Sequence, residues 1–242
     1  MKLGLCGFTI GAAAYYKAFS VVEVQQTFYD PPPHATLRGW RTQAPAEFEF
    51  TMKAWQVITH LGTSKTYRRL RSAFDDRARS DAGGFRVNDT VLGAWETTLA
   101  AAHILRATAI LFQCPPSFRP TSENTDAMRR FFTTIDRPPN VRFLWEPRGH
   151  WPDDVVLSLC RDLGLVHAVD PFIRPSLTPE LTYWRLHGNK SHYASYSDDE
   201  LRQLHAWIRP GAETYVMFNN IPRVKDAKRF REVAAEGLLG II

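Results

Sequence analysis

Glu146 and Arg148 stand two residues apart at the end of an apolar run, where together they could bind or activate a polar ligand. The run Val141–Glu146 has the composition of a β-strand, and Pro147 stops it. Alternate residues of an extended strand project from the same face, so the carboxylate and the guanidinium should lie side by side. A charged pair at a strand end, just ahead of a loop that contains Gly149, resembles the rim of a pocket.

Seven further apolar runs repeat this design of strand, polar end and turn. They are Lys2–Phe8, Val21–Phe28, Phe48–Trp55, Ala109–Cys114, Leu165–Asp170, Thr182–His187 and Thr214–Asn219. The polar residues at or near their ends are Glu23, Gln25, Gln26, Lys53, Gln113, Asp170, Arg185, His187, Asn219 and Asn220. Alternation puts Glu23 with Gln25, and Arg185 with His187, on common faces. A lone buried charge is costly, so this many charges on apolar strands need one another or a ligand.

These residue types predict acid–base chemistry on an anionic substrate. The structural alternative is a network of salt bridges among the strand ends. Glu146 is the natural general acid or base, and Lys53 is a second proton carrier or an anion clamp. A Schiff base at Lys53 is an alternative that no feature of the sequence specifically supports. Catalytic roles are predicted for Glu146, Lys53, Asp170 and His187. Substrate binding is predicted for Glu23, Gln25, Tyr29, Gln113, Arg148, Arg185, Tyr193 and Asn219.

The segment Thr63–Ser80 carries most of the excess positive charge of the chain, whose formal net charge is +5. It follows the third predicted strand, so it should lie on the same face as the site. Tyr67 amid arginines is a mixture that can grip a nucleic-acid backbone, although a solvated helix face is the alternative. Nucleic-acid contacts are predicted for Lys65, Arg68, Arg69 and Arg71.

Metal and thiol chemistry have little support from residue spacing. No His-x-x-x-His, Asp-x-Asp or Cys-x-x-Cys motif occurs, so no cofactor and no metal ligand is predicted. A divalent metal held by residues from separate strands stays an alternative, and the available set is Glu23, Glu146, Asp170 and His187. Cys6 and Cys114 each end a predicted strand and could approach one another at one mouth of a barrel, or they could be small buried thiols.

Helical patterns separate most of the runs, and one of them opens with a capping box at Ser197 and Glu200. The connections Gly11–Ser20, Pro31–Pro45 and Pro171–Leu181 are predicted to hold one helical turn at most. Eight strands that alternate with helices predict an α/β fold, a single (β/α)₈ TIM-barrel domain over residues 1–242 with some shortened helices. A doubly wound open sheet is the alternative, but no Gly-rich phosphate fingerprint follows the first strand.

Composition excludes a disordered chain, because 44% of the residues are hydrophobic and 12% are aromatic. No run of about 18 apolar residues and no signal-peptide core appears. We therefore expect a cytoplasmic protein with no membrane partner, and the oligomeric state stays open.

Several of the strand-end motifs resemble the YecE-like family, also called domain of unknown function 72. They are Val22–Tyr29, Phe50–Ala54, Ile58–His60, Leu111–Phe118, Trp145–Arg148, Arg185–Gly188 and Tyr215–Asn220. They are collinear and span nearly the whole chain, and the resemblance implies a TIM barrel and the location of a site but no reaction. The chain departs from the usual motifs of this family at two places. Cys6–Gly11 stands where a Gly-Thr-Ser-Gly-Trp opening is usual, and Glu-Pro-Arg-Gly at Glu146–Gly149 stands where Glu-Phe-Arg-His is common. With these departures the chain resembles an archaeal-type branch of the family.

Three functional interpretations follow. The first is an enzyme that acts on an anionic, phosphate-bearing substrate, with hydrolysis of a phosphodiester or a sugar phosphate as the leading reaction. The second is a nucleic-acid-binding protein, or a barrel resembling metal-dependent endonucleases, that uses the basic segment. The third is a sugar hydrolase or isomerase, for which Glu23 would pair with Glu146 or Asp170. The expected partner is thus a small anionic substrate or nucleic acid.

Overall fold

A closed barrel of eight parallel strands forms the centre of the computed structural model, which describes residues 1–239. The strands are β1 (Lys2–Cys6), β2 (Val21–Val24), β3 (Glu49–Lys53), β4 (Ala109–Gln113), β5 (Arg142–Glu146), β6 (Leu165–Val169), β7 (Leu181–Leu186) and β8 (Glu213–Phe218). Each strand pairs in parallel with its neighbours, and β1 pairs with β8 to close the ring. The predicted (β/α)₈ fold is therefore confirmed. The single-domain prediction covers residues 1–242, so its last three residues lie outside the described part.

Helices connect most of the strands and cover the outside of the barrel. They are α1 (Ala12–Ala18), α2 (Gln26–Tyr29), α3 (His34–Gln43), α4 (Gln56–Thr59), α5 (Asp76–Asp81), α6 (Asp89–Leu105), α7 (Ser122–Thr134), α8 (Asp153–Leu163), α9 (Asp198–Ala206) and α10 (Arg223–Leu239), with a 3₁₀ helix at Lys65–Arg69. The predicted capping box is present at the start of α9, where Ser197 and Glu200 bond each other's backbone N–H groups. Within the described residues, no helix is both long and apolar enough to cross a membrane.

Two connections hold more helix than the sequence predicted. The segments Gly11–Ser20 and Pro31–Pro45 contain α1, of 7 residues, and α3, of 10 residues. The prolines of the second segment lie outside α3, since Pro33 is the N-cap of this helix and Pro45 follows its C-cap residue. Tertiary packing stabilises these short helices, as the buried Leu37 shows. The third connection, Pro171–Leu181, forms no helix.

The strict alternation of each strand separates two apolar clusters. Outward residues such as Phe112 and Phe143 pack under the helices, and their ring centroids lie 6.1 and 5.5 Å from that of Trp95 in α6. Inward residues form a smaller cluster inside the barrel: Cys6, Val21, Ala109, Leu111, Leu144, Ala168, Leu181, Tyr183, Tyr215 and Met217. Both faces of the sheet are buried, which explains why its strands are nearly continuous apolar runs.

Paired charges close the N-terminal end of the barrel. Lys2 Nζ lies 2.5 Å from a carboxylate oxygen of Glu49 and 2.6 Å from one of Glu213. It also donates a hydrogen bond of 2.9 Å to the hydroxyl of Tyr215. This lysine is therefore neutralised, and the polar groups at this end bind one another.

Candidate active site

The C-terminal strand ends converge on a cavity of about 970 Å³, at the end of the barrel where enzymes of this fold carry their active sites. The four predicted catalytic residues line it: Lys53, Glu146, Asp170 and His187. Its volume lies within the range of small-molecule sites. The strand ends therefore bring these four residues together at one cavity, and their possible roles depend on which side chains pair.

Arg185 is the centre of the pairing, and it bridges two carboxylates beneath the cavity. Its side chain is 1% exposed. Its Nε and Nη2 atoms donate to Glu23 over 2.8–3.2 Å, and its Nη1 atom donates to Glu146 over 2.7 Å. Tyr183 donates a further hydrogen bond of 3.0 Å to Glu23. Because all of its nitrogens bind carboxylates, Arg185 holds the two glutamates in place.

Glu146, Arg148, His187 and Asp170 form a chain along the floor of the cavity. Arg148 Nη2 lies 3.2 Å from Glu146 and 2.8 Å from Nε2 of His187. The other ring nitrogen of His187 faces Asp170 Oδ2 at 3.4 Å, and the backbone N–H of His187 donates to the same oxygen over 2.9 Å. A guanidinium has no acceptor, so Nε2 of His187 accepts from Arg148 and Nδ1 carries the proton towards Asp170. Asp170 thus orients the ring.

Lys53 stands apart from this chain. It is 3% exposed and lines the cavity. Its Nζ lies 3.7 Å from the centroid of the Phe28 ring and 5.9 Å from that of Tyr29. No carboxylate among the described side chains comes within 4.0 Å of this atom. The two strand-end glutamates whose charges act on it, Glu23 and Glu146, bind Arg185.

Burial and charge set the protonation of these groups in opposite directions. Burial alone would raise the pKa of Glu146, but the charges of Arg185 and Arg148 outweigh it and lower that pKa to about 2. Burial lowers the pKa of Lys53 to about 7, and the charge of Arg185 acts in the same direction. Near neutral pH, Glu146 is therefore a carboxylate, and Lys53 exists in both its charged and its neutral form.

The ionised state of Glu146 has a consequence for stability in acid. Its folded pKa, about 2, lies below the ordinary value of 4.5, so its contribution is present above about pH 4.5 and is lost as the pH falls towards 2. We expect Glu146→Gln to lower the free energy of unfolding by about 2 kcal/mol near pH 7 and by much less near pH 3. Urea unfolding of both proteins over this pH range measures the difference. An equal loss at both pH values would contradict the ion-paired state.

The structure separates the predicted substrate-binding residues into two groups. Residues that line the cavity are Gln25, Tyr29, Gln113, Arg148, Arg185 and Asn219. Glu23 is 0% exposed and lies below the cavity, where Gln25 also donates to it. Tyr193 is 80% exposed and does not line the cavity, whereas its neighbour His192 does. Gln25 contacts Glu23 and His187 contacts Arg185, as expected for residues on common faces, but Gln25 and His187 lie just beyond the ends of β2 and β7.

Two further arginines line the wall of the cavity, and no strand-end pattern in the sequence predicts them. Arg174 lies in the connection after β6 and is paired with Asp153. Arg223 is the first residue of α10 and donates a hydrogen bond of 2.6 Å to the backbone oxygen of Cys6. Its Nε atom is buried and has no partner in the described part of the chain. The one feature of the sequence that could have indicated a place for Arg223 in the cavity is its position shortly after Asn219 and Asn220.

The basic segment lies at the cavity mouth only in part. Thr66 and Arg69 line the wall, and Arg69 stacks over the Tyr29 ring at 4.5 Å. Lys65, Arg68 and Arg71 are exposed on the same connection. Tyr67, considered above as part of a nucleic-acid grip, is 3% exposed, and its hydroxyl donates to the backbone oxygen of His60 over 2.9 Å. Tyr67 is therefore not available for stacking.

The structure also bears on the two alternatives of a cysteine pair and a metal site. All three cysteines are buried free thiols. Cys6 belongs to the cluster inside the barrel and Cys114 to the cluster outside it, so the barrel wall separates them. No group of three His, Cys, Asp or Glu residues that could hold a metal ion occurs within the described residues. The four residues considered as a metal set are joined instead through Arg185 and Arg148.

Comparisons with known proteins agree with the fold. A family model described as "Protein of unknown function DUF72" matches residues 12–238. A DUF72 family protein from Enterococcus faecalis has a TM-score of 0.73 and 18% identity, over 97% of this chain and 95% of that chain. One from Thermotoga maritima has a TM-score of 0.68 and 18% identity, over 97% and 98%. Endonuclease IV from Thermus thermophilus has a TM-score of 0.54 and 10% identity, over 97% and 98%. No curated protein matches the sequence.

Proposed function

Because this chain belongs to the DUF72 family of proteins of unknown function, we propose its function from the geometry of its cavity. It is an enzyme that transfers protons to and from a small phosphate-bearing substrate. Lys53 and Glu146 are the proton-transfer and charge-bearing groups at the floor, and arginines of the wall bind the phosphate. The structural neighbours support the fold alone, since all three are less than 25% identical to this chain.

The observation that carries this proposal is the imbalance of charge in the cavity. Among the described residues, two carboxylates line it, those of Glu146 and Asp170. The lysine and arginine side chains that line it are Lys53, Arg69, Arg148, Arg174, Arg185 and Arg223. A concave surface with an excess of one charge attracts ligands of the opposite charge, and an arginine can donate two parallel hydrogen bonds to a phosphate.

The pairing within the protein distinguishes which arginines can bind a ligand. Arg185 is fully engaged by Glu23 and Glu146, and Arg174 is paired with Asp153. Arg223 keeps a buried Nε without a partner within the described residues. Arg148 is partly buried and bonds Glu146 and His187 through a single nitrogen, Nη2, so its other nitrogens can face a ligand. We therefore assign phosphate binding to Arg148 and Arg223, with Arg69 at the mouth.

The proton chemistry follows from the protonation states. Lys53, whose pKa is lowered to about 7, can accept and release a proton near neutral pH, as an efficient acid–base catalyst must. Glu146, whose pKa is lowered to about 2, acts as a permanent carboxylate. It serves as a weak base or stabilises positive charge that develops beside it. His187, held by Asp170, is the second candidate for moving a proton.

Binding of a phosphorylated probe tests the proposal. We expect ribose 5-phosphate or inorganic pyrophosphate to bind with an affinity that falls as salt rises. Arg148→Gln and Arg223→Gln should each weaken binding about 10- to 100-fold, because a hydrogen bond to a charged group contributes about 1.5–3 kcal/mol. Titration calorimetry over a salt series measures the affinities.

The matched control is Arg130→Gln, which removes the same charge from an exposed position of α7, away from the cavity. This variant should bind like the wild type. Equal weakening in all three variants would indicate attraction by net charge alone, and it would contradict a phosphate site in the cavity.

Nucleic acid is the second candidate ligand, and the position of the basic segment favours it. Arg69 lines the mouth, while Lys65, Arg68 and Arg71 extend its positive charge over the neighbouring surface. In that case single-stranded or abasic-site oligonucleotides should bind more weakly to a triple Lys65, Arg68, Arg71→Gln variant, whereas ribose 5-phosphate should bind to it unchanged. Hydrolysis of a phosphodiester or a sugar phosphate, a sugar isomerase activity and membership of an archaeal-type branch all stay predictions.

A further inference from the structure

Lys53 is a buried amine with no carboxylate within 4.0 Å among the described side chains. Its side chain lines the cavity at the end of β3, and its Nζ lies 3.7 Å from the centroid of the Phe28 ring and 5.9 Å from that of the Tyr29 ring. An aromatic face attracts a cation, but it replaces neither water nor a carboxylate as a partner. A lysine in this position therefore lowers the stability of the fold, and a cost of this kind is typical of a residue that has a function.

The opposite end of the same barrel shows how this chain accommodates a lysine that is purely structural. Lys2 lies within 2.6 Å of both Glu49 and Glu213 and bonds Tyr215. The C-terminal end also has two interior glutamates, but both bind Arg185. Carboxylates that could pair with a lysine are therefore present at this end too, but they form their ion pairs with Arg185 rather than with Lys53.

We propose that Lys53 Nζ is a nucleophile that forms a Schiff base with an aldehyde or ketone carrying a phosphate or carboxylate group. This inference rests on the proposed function for the place and the charge of the ligand. It adds that the ligand has a carbonyl group and that a covalent bond forms. The site then belongs to the class of reactions in which an imine activates the neighbouring carbon for bond cleavage or proton loss.

The electrostatics of the cavity suit this chemistry. An amine attacks a carbonyl only in its neutral form, and lysines are activated by desolvation or by a neighbouring cation. Both occur here. Burial lowers the pKa of Lys53 to about 7, and the charges of Arg185 and Arg148 act in the same direction. The charges of Glu23 and Glu146 oppose this effect on the pKa. The wall arginines Arg148 and Arg223 can hold the anionic group while the carbonyl faces Lys53.

The covalent step balances without an oxidant or a reductant. The lone pair of the neutral Nζ attacks the carbonyl carbon, a C–N bond forms, and the π electron pair of the carbonyl moves to oxygen. The oxygen then leaves as water with the two protons that nitrogen gives up, and a C=N bond remains. Protonation of that nitrogen yields the iminium ion, which draws electrons from the adjacent carbon.

Reductive trapping with pyridoxal 5′-phosphate, an aldehyde that carries a phosphate, tests the inference. Sodium borohydride reduces any imine to a stable secondary amine. The chain has seven lysines, so peptide mapping can assign each adduct. We expect one adduct per chain, located at Lys53, in the wild type and in Lys190→Arg, whose lysine is exposed on the surface. Lys53→Arg and Lys53→Met should lose at least 90% of this labelling, and excess inorganic phosphate should suppress it in the wild type.

Labelling spread over the exposed lysines, or undiminished in both Lys53 variants, would overturn the Schiff base. Pyridoxine 5′-phosphate, which has an alcohol in place of the aldehyde, separates this failure from failure of the proposed function. If it binds, if Arg223→Gln weakens its binding, and if the aldehyde leaves Lys53 unlabelled, the phosphate site stands and the nucleophile falls. If neither compound binds, both proposals fall. Circular dichroism of each variant shows whether it has folded.

Discussion

Arg185→Met lowers the free energy of unfolding by about 3–5 kcal/mol, the largest loss we expect from a single substitution in this barrel. The variant leaves the carboxylates of Glu23 and Glu146 buried without the guanidinium that binds both of them. Removing one partner of a buried ion pair is costly because the remaining charge has neither water nor a counter-ion. Urea unfolding near pH 7, followed by circular dichroism, measures the loss.

Two companion variants locate the origin of this effect. Arg185→Lys keeps the charge but lacks the planar group that reaches both glutamates, so it should recover only part of the loss. The triple variant Arg185→Met, Glu23→Gln, Glu146→Gln has no buried charge at these three positions and should be more stable than Arg185→Met alone. If the triple variant is the less stable of the two, packing around Arg185 rather than charge explains the loss.

Lys53→Met raises the free energy of unfolding by about 2 kcal/mol near pH 7, since it replaces a buried unpaired amine by an apolar side chain of similar length. The wild-type lysine has its pKa lowered from 10.5 to about 7, so the unfolded chain binds more protons between these values. The stability of the wild type therefore rises with pH across this window, and the advantage of the variant shrinks towards pH 10.5. Unfolding of both proteins across this pH window gives the comparison.

Lys2→Met is the matched control for Lys53→Met. It removes the same side chain from the other end of the barrel, where Glu49 and Glu213 pair with it. It should destabilise the protein by about 1–2 kcal/mol, because the two carboxylates lose their counter-ion. Opposite signs for the two lysines would identify Lys53 as a residue that the fold tolerates at a cost, as is typical of functional sites. A loss of stability in both variants would contradict the description of Lys53 as unpaired.

Local patterns in the sequence predict the barrel and the end of it at which the polar strand-end residues gather. Strand alternation has a period of two residues, so the shared faces of Glu146 with Arg148 and of Arg185 with His187 follow from their spacing. These local patterns do not depend on the distant parts of the chain. The helices α1 and α3 are the exceptions. Prolines flank α3, so its segment resembles a loop, and tertiary packing stabilises the helix.

The pairing of the charges, by contrast, follows from the closure of the barrel. Glu23, Glu146 and Arg185 lie on β2, β5 and β7, and no two of these strands are neighbours in the barrel. Arg185 is separated from the two glutamates by 162 and 39 residues in the sequence, and their side chains meet only because the closed barrel brings opposite walls within reach. That closure gives both glutamates to Arg185 and leaves Lys53 without a carboxylate partner in the described structure, an outcome that residue spacing along a strand does not contain.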